Sequence, residues 1–144
     1  PLLAESAQAT LKEIGMEVQV NCTSDNNTIR KDPTLWDVYA SAMVTAPTGD
    51  PQYFFTSCAL DDSVSNNGHY HSDKLEELAD EMETEFDVDK RSELAIQMQQ
   101  TILDDNAYVF CSHLRMSMIM QSNVTGLAAH PCDYYELTAD LDIN

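Results

Sequence analysis

Between Asp73 and Asn106 apolar residues return with the period of a helix twice in succession. Leu75, Leu78, Met82 and Phe86 form one stripe, and Leu94, Ala95, Met98 and Ile102 form the next. Steps of three and four residues place each set on one face of a 3.6-residue helix. Asp73 with Glu76 fits a capping box that opens the first helix. Asp87 is placed to cap the second, and Asp104-Asp105-Asn106 closes it. Each stripe has to be covered by another layer, so the flanking segments decide the fold class.

On the N-terminal side, Leu3, Ala7, Leu11 and Ile14 predict a further helix, with Gly15 at its C′ position. Met16, Val18, Val20 and Cys22 then alternate with Glu17, Gln19 and Asn21, the pattern of a half-buried strand. Thr23 to Asp32 reads as a loop or a short irregular helix. Trp36, Val38, Ala40, Ala42 and Val44 alternate again, with Tyr39 and Met43 apolar on the other face, as in a covered strand. Pro47-Thr48-Gly49-Asp50-Pro51 is strong turn chemistry. Gln52 to Cys58 predicts a short aromatic helix, and Asp61 to Gly68 a polar loop. Ala107 to Gln121 alternates as a strand or hairpin arm, Asn123 to Gly126 reads as a turn, and Asp133 to Asn144 as an acidic, partly extended tail. Helices and strands interleaved in this order predict an α/β fold, helices packed on a small mixed sheet.

The totals narrow the function. A chain of 144 residues, 43% hydrophobic, suits one ordinary domain with a real core. Seven basic against 25 acidic residues leave a net charge of −18. That surface repels phosphate backbones and anionic head groups, which argues against nucleic acid and against a lipid surface as partners. No run approaches the roughly 20 apolar residues that cross a bilayer, and no basic segment followed by an apolar one opens the chain. Cys22, Cys58, Cys111 and Cys132 form no CxxC, so a zinc ribbon or thioredoxin-type site is disfavoured and packed thiols are expected.

Several stretches in order carry a family likeness: "LLAESAQATLKEIGMEVQV" (2–20), "WDVYASAMVTAPTGDPQYFF" (36–55), "DKLEELADEMETEFDVDKRSELAIQMQQTILDDNAYVF" (73–110), "NVTGL" (123–127) and "DYYELTADL" (133–141). The Gly-Asp-Pro turn at 49–51 behind a Trp-Asp-Val segment is the best single marker. Together they resemble the C-terminal part of family 5 extracellular solute-binding proteins, which serve ABC importers for peptides and nickel. "SHLRMSM" (112–118) and "AHPCDYY" (129–135) look most like the nickel-binding branch. The resemblance implies one lobe of a periplasmic-binding-protein-like fold. Residues 1–121 would be an incomplete ligand-binding lobe lacking a preceding strand and the other lobe, and 122–144 a tail returning toward that lobe. It implies a mature or excised piece of a longer extracytoplasmic protein, in the periplasm or held outside the cell membrane by a lipid anchor. It also implies ABC permease subunits as partners, and a nickel chelate or a peptide as ligand. An unpaired sheet edge would invite pairing between copies.

No G-x-S-x-G, Walker A, GxGxxG or H-E-x-x-H occurs, which points to binding rather than catalysis. His69 and His71 are the candidate metal ligands: on an extended segment, residues i and i+2 face one side, and imidazole suits Ni(II). Further ligands would come from Asp61, Asp62, the other lobe or a small chelator, with no intrinsic cofactor. The alternative is a solvated loop in which Tyr70 packs and both rings face water. His113 and Arg115 share a face if extended, and Arg can clamp a ligand carboxylate, unless it pairs with one of many acids. His130, held extended by Pro131, is a further cleft candidate. Tyr53 and Phe54, with Phe55 and Trp36, would line an apolar wall beyond the turn or belong to the core. Met116, Met118 and Met120 offer thioethers, though such a stripe usually packs. Beside nickel capture stand two other readings: oligopeptide or dipeptide capture by the same architecture, and an acidic interaction domain outside transport.

Overall fold

The computed structural model describes residues 2–24, 26–115, 117–129 and 137–144. The readings that rest on Met116, His130 and Cys132, and the likeness at 133–136, lie outside the described residues. Two compact units emerge, one running to Met43 and one from Val44 onward. The described chain is helix-dominated, with one small two-stranded sheet, an arrangement compatible with an α/β lobe.

In the first unit, helix α1 spans Leu2–Glu13. Its end is a Schellman motif: the Met16 N–H reaches the Leu11 carbonyl at 3.0 Å and the Gly15 N–H reaches Lys12 at 3.0 Å. Gly15 takes φ +84°, where a Cβ would be strained. None of the helix is buried, and Leu3 and Ile14 of the predicted stripe are exposed. Helix α2, Asn26–Lys31, precedes a 3-10 turn at Pro33–Leu35. Trp36 donates its indole N–H to the Ile29 carbonyl at 3.0 Å and packs near Tyr39.

The second unit holds the core. Helix α3, Gln52–Phe54, winds directly into a π turn at Phe55–Ala59, closed by the Leu60 N–H on the Phe55 carbonyl at 3.1 Å. The wider turn brings Phe54, Phe55, Cys58 and Ala59 to one side. Helices α4, Asp73–Thr84, and α5, Val88–Asp104, pack together over it. Leu75 and Met82 come from α4; Leu94, Ala95, Met98 and Ile102 come from α5. Each large side chain so buried contributes about 1.5–3 kcal/mol. Tyr108 covers one end of the core, its hydroxyl donating to the Cys58 carbonyl at 2.6 Å. Asp87 caps α5 through the Lys90 N–H, as its position predicts. Asn106, at φ 55°, ends α5 in a second Schellman motif.

Four expectations change. The segments 16–22, 36–44 and 107–121 form no ladder: among the described residues the strands are β1, Val124–Thr125, and β2, Asp142–Ile143, antiparallel and both inside the tail. Alternation sets which side chains share a face, but a strand exists only against a neighbour. Here Val38, Val109, Leu114 and Ile119 stay exposed, with no layer on them. The turn expected at Asn123 to Gly126 is likewise taken up partly by β1. Phe86 is 87% exposed because α4 stops at Thr84 and Glu85 is extended, which breaks the phase of the stripe. The capping box at Asp73 does not form either. Ser72 is the N-cap, and the Glu76 carboxylate instead accepts the Asp61 N–H at 2.8 Å.

Candidate functional site

The loop between the π turn and α4 carries both histidines. Several turns fold it back on itself. Ser63 donates its hydroxyl to Phe55 and Thr56, the Ser65 N–H reaches Ser57, and the His69 N–H reaches Asn66. Asn66 is buried at its centre. Tyr70 packs against the core, and its hydroxyl donates to Asp105 at 2.6 Å. Desolvation, followed by that carboxylate, pushes the phenol up to about 12. Tyr70 therefore anchors the loop, as the solvated-loop alternative required, but the two rings beside it are not equivalent.

His69 sits at φ 53° and is exposed. The left-handed residue breaks the extended geometry under which i and i+2 share a side. His71 is engaged instead. Its Nδ1 lies 2.9 Å from both oxygens of Asp61, and its Nε2 lies 3.4 Å from Asp73 Oδ1. The hydrogen bond that His71 gives to Asp61, then the carboxylate's charge, raises the His71 pKa above 6.5.

Asp61 thus serves as the partner of a histidine, the arrangement in which metal-ligating imidazoles usually have their second nitrogen held. With Nδ1–H given to Asp61, the lone pair of Nε2 is free to bind an ion. Two donors each about 2.1 Å from one ion stand about 3–3.4 Å apart, which is the spacing of Nε2 and Asp73 Oδ1. Those are two donors. Among the described residues no group of three or more His, Cys, Asp or Glu side chains converges on a point that would hold a metal. Asp62 is exposed and makes no part of the pair.

The other candidates lie elsewhere. Phe54 is buried, edge-on to Phe55, Tyr108 and Phe110, while Tyr53 beside it is exposed. His113 and Arg115 are exposed on the unladdered segment, so no sheet sets their common face. Met118 and Met120 belong to the same segment.

A second polar centre was not singled out from the sequence. Arg91 of α5 donates Nη1 to the Met82 and Glu85 carbonyls at 2.7 and 2.8 Å. Its Nη2 donates to both Asp50 oxygens at 2.9 and 2.8 Å and to Gln52 Oε1 at 2.9 Å. Thr48, Gly49, Pro51, Val88 and Ser92 surround it in an open groove of about 340 Å³. The signal in the sequence was the Gly-Asp-Pro turn, whose aspartate is this partner.

No helix among the described residues is long and apolar enough to cross a membrane. No protein-family profile matches the chain, and no solved structure matches it. Over 93 residues, 65% of its length, the chain is 26% identical to the nickel-binding protein NikA of Staphylococcus aureus (strain NCTC 8325 / PS 47). It spans 19% of that protein's length. This distant and partial likeness to a protein named for binding, not for catalysis, supports the solute-binding family at most.

Proposed function

We propose that the chain is part of the solute-binding component of an ABC importer, capturing nickel or a nickel chelate outside the cytoplasm for delivery to permease subunits. It acts by binding and performs no catalysis. The observation that carries the reading is His71. An imidazole whose Nδ1 is held by Asp61, with Nε2 beside a second oxygen donor, stands in a chain whose likeness is to a nickel-binding protein. Imidazole nitrogen suits Ni(II). Two donors leave most of the coordination shell to a small chelator or to further protein ligands. The charge of −18 favours the approach of a cation.

Calorimetry on the full-length protein tests this. Heat is expected with Ni(II) plus free histidine and none with oligopeptides; the reverse pattern overturns the nickel assignment in favour of peptide capture. His71→Ala should weaken Ni(II)-histidine binding by about 10- to 100-fold, in the range seen when metal sites lose supporting groups. His69→Ala should leave it unchanged.

A further inference from the structure

The His71–Asp61 pair is exposed, 58% and 48% by side chain. Water competes for such a contact, and two free side chains lose entropy in making it, so the pair does not hold itself. Its geometry has to come from the backbone beneath it. There Asn66, 7% exposed, spans the loop. Its Nδ2 donates to the Leu60 carbonyl at 3.2 Å and to the Tyr70 carbonyl at 2.7 Å, while its Oδ1 accepts the Tyr70 N–H at 2.9 Å. Leu60 immediately precedes Asp61, and Tyr70 immediately precedes His71. One buried amide therefore ties together the two backbone segments that carry the pair. Glu76 adds a second hold by accepting the Asp61 N–H.

We infer that Asn66 is a positioning residue for the His71–Asp61 pair: it sets the separation at which Asp61 takes the His71 Nδ1–H and leaves Nε2 outward as the donor. The inference rests on the reading of His71 above, so its test needs a readout that nickel does not enter. Long-range proton–nitrogen NMR of the imidazoles, at a pH where His71 is neutral, reports which ring nitrogen carries the proton. The parent protein should show His71 mainly as the Nδ1–H form, the reverse of what an unrestrained histidine favours. Asn66→Asp keeps the acceptor for the Tyr70 N–H but has no donor for the two carbonyls. It should shift His71 toward the unrestrained form and lower affinity for Ni(II) plus free histidine about tenfold or more. The methyl signals of Met98 and Ile102 should stay in place. Glu76→Ala, which loosens the Asp61 backbone without touching the core, should give a smaller shift and covers the case in which Asn66 variants fail to fold. A parental tautomer in both variants overturns the inference. A tautomer shift with nickel affinity unchanged in the Asn66 and His71 variants alike upholds the positioning role and overturns the nickel reading.

Discussion

Replacing Arg91 probes what joins the two long helices to the Gly-Asp-Pro turn. The side chain is 17% exposed, and its guanidinium divides between two kinds of partner. One kind is the pair of carbonyls at Met82 and Glu85, where α4 runs out of intrahelical donors. The other is Asp50, 43% exposed, with Gln52. A hydrogen bond to a charged group contributes about 1.5–3 kcal/mol, whereas an ion pair open to water contributes about 1 kcal/mol or less. Arg91→Ala should therefore cost about 2–4 kcal/mol, and Asp50→Asn about 1 kcal/mol. Because the carbonyls carry most of the effect, the coupling between the two substitutions should not exceed about 1 kcal/mol. Urea unfolding of the parent, both single variants and the double variant measures all four corners. The reasoning fails if Arg91→Ala costs under about 0.5 kcal/mol, or if the coupling equals the whole Arg91 effect. A pH series adds a sign. The Gln52 N–H first, and then Arg91, hold the Asp50 carboxyl below its ordinary 3.8 against the effect of burial. Its contribution is complete above that value and is lost as pH falls through the lowered one.

The raised pKa of His71 should appear in an NMR titration as a midpoint above 6.5 that Asp61→Asn returns toward 6.5. The stability contributed by the pair is present below 6.5 and lost as pH rises through the raised value. Ni(II) needs the unprotonated ring, so binding should weaken on acidification at a higher pH than an ordinary histidine would give. Gly126, at φ +77°, leaves no room for a side chain, because an added Cβ overlaps the Asp140 carbonyl. Gly126→Ala should open the β1–β2 ladder, since a left-handed alanine costs about 1–2 kcal/mol and a lone two-stranded ladder is marginal. Fast hydrogen exchange at Asn144, whose N–H meets the Asn123 carbonyl, would report the opening, and parental protection there would refute it.

The helices were legible because their determinants are local. The α5 stripe of Leu94, Ala95, Met98 and Ile102, its cap at Asp87 and the glycine stop of α1 all lie within a few residues of what they control. The extended segments were half legible. Alternation from Trp36 to Val44 and from Ala107 to Gln121 specifies two faces, but pairing depends on a neighbour that the pattern cannot name. Phe86 shows the same limit on a smaller scale. It continues the α4 stripe in sequence, yet the Glu85 side-chain carboxylate accepts the N–H groups of Phe86 and Asp87, and the phase is lost.

For the site, residue types were legible and their partnership was not. His71 and Asp61 both stood among the candidate ligands, but as parallel donors to one ion, with His69 as the nearer companion. The structure makes Asp61 the partner of His71, and the left-handed backbone at His69 breaks the extended run that would put both rings on one side. What holds His71 against Asp61 is Asn66, a residue with no chemistry of its own toward a ligand. Its importance follows from burial. An amide in open loop water would lose little by bonding to solvent, so it would impose nothing on its neighbours. Sealed in the loop, it must satisfy its donors on the nearest carbonyls. Those belong to Leu60 and Tyr70, and the demand passes directly to the adjacent Asp61 and His71. The exposed His71–Asp61 pair is therefore arranged by the buried part of the loop beneath it.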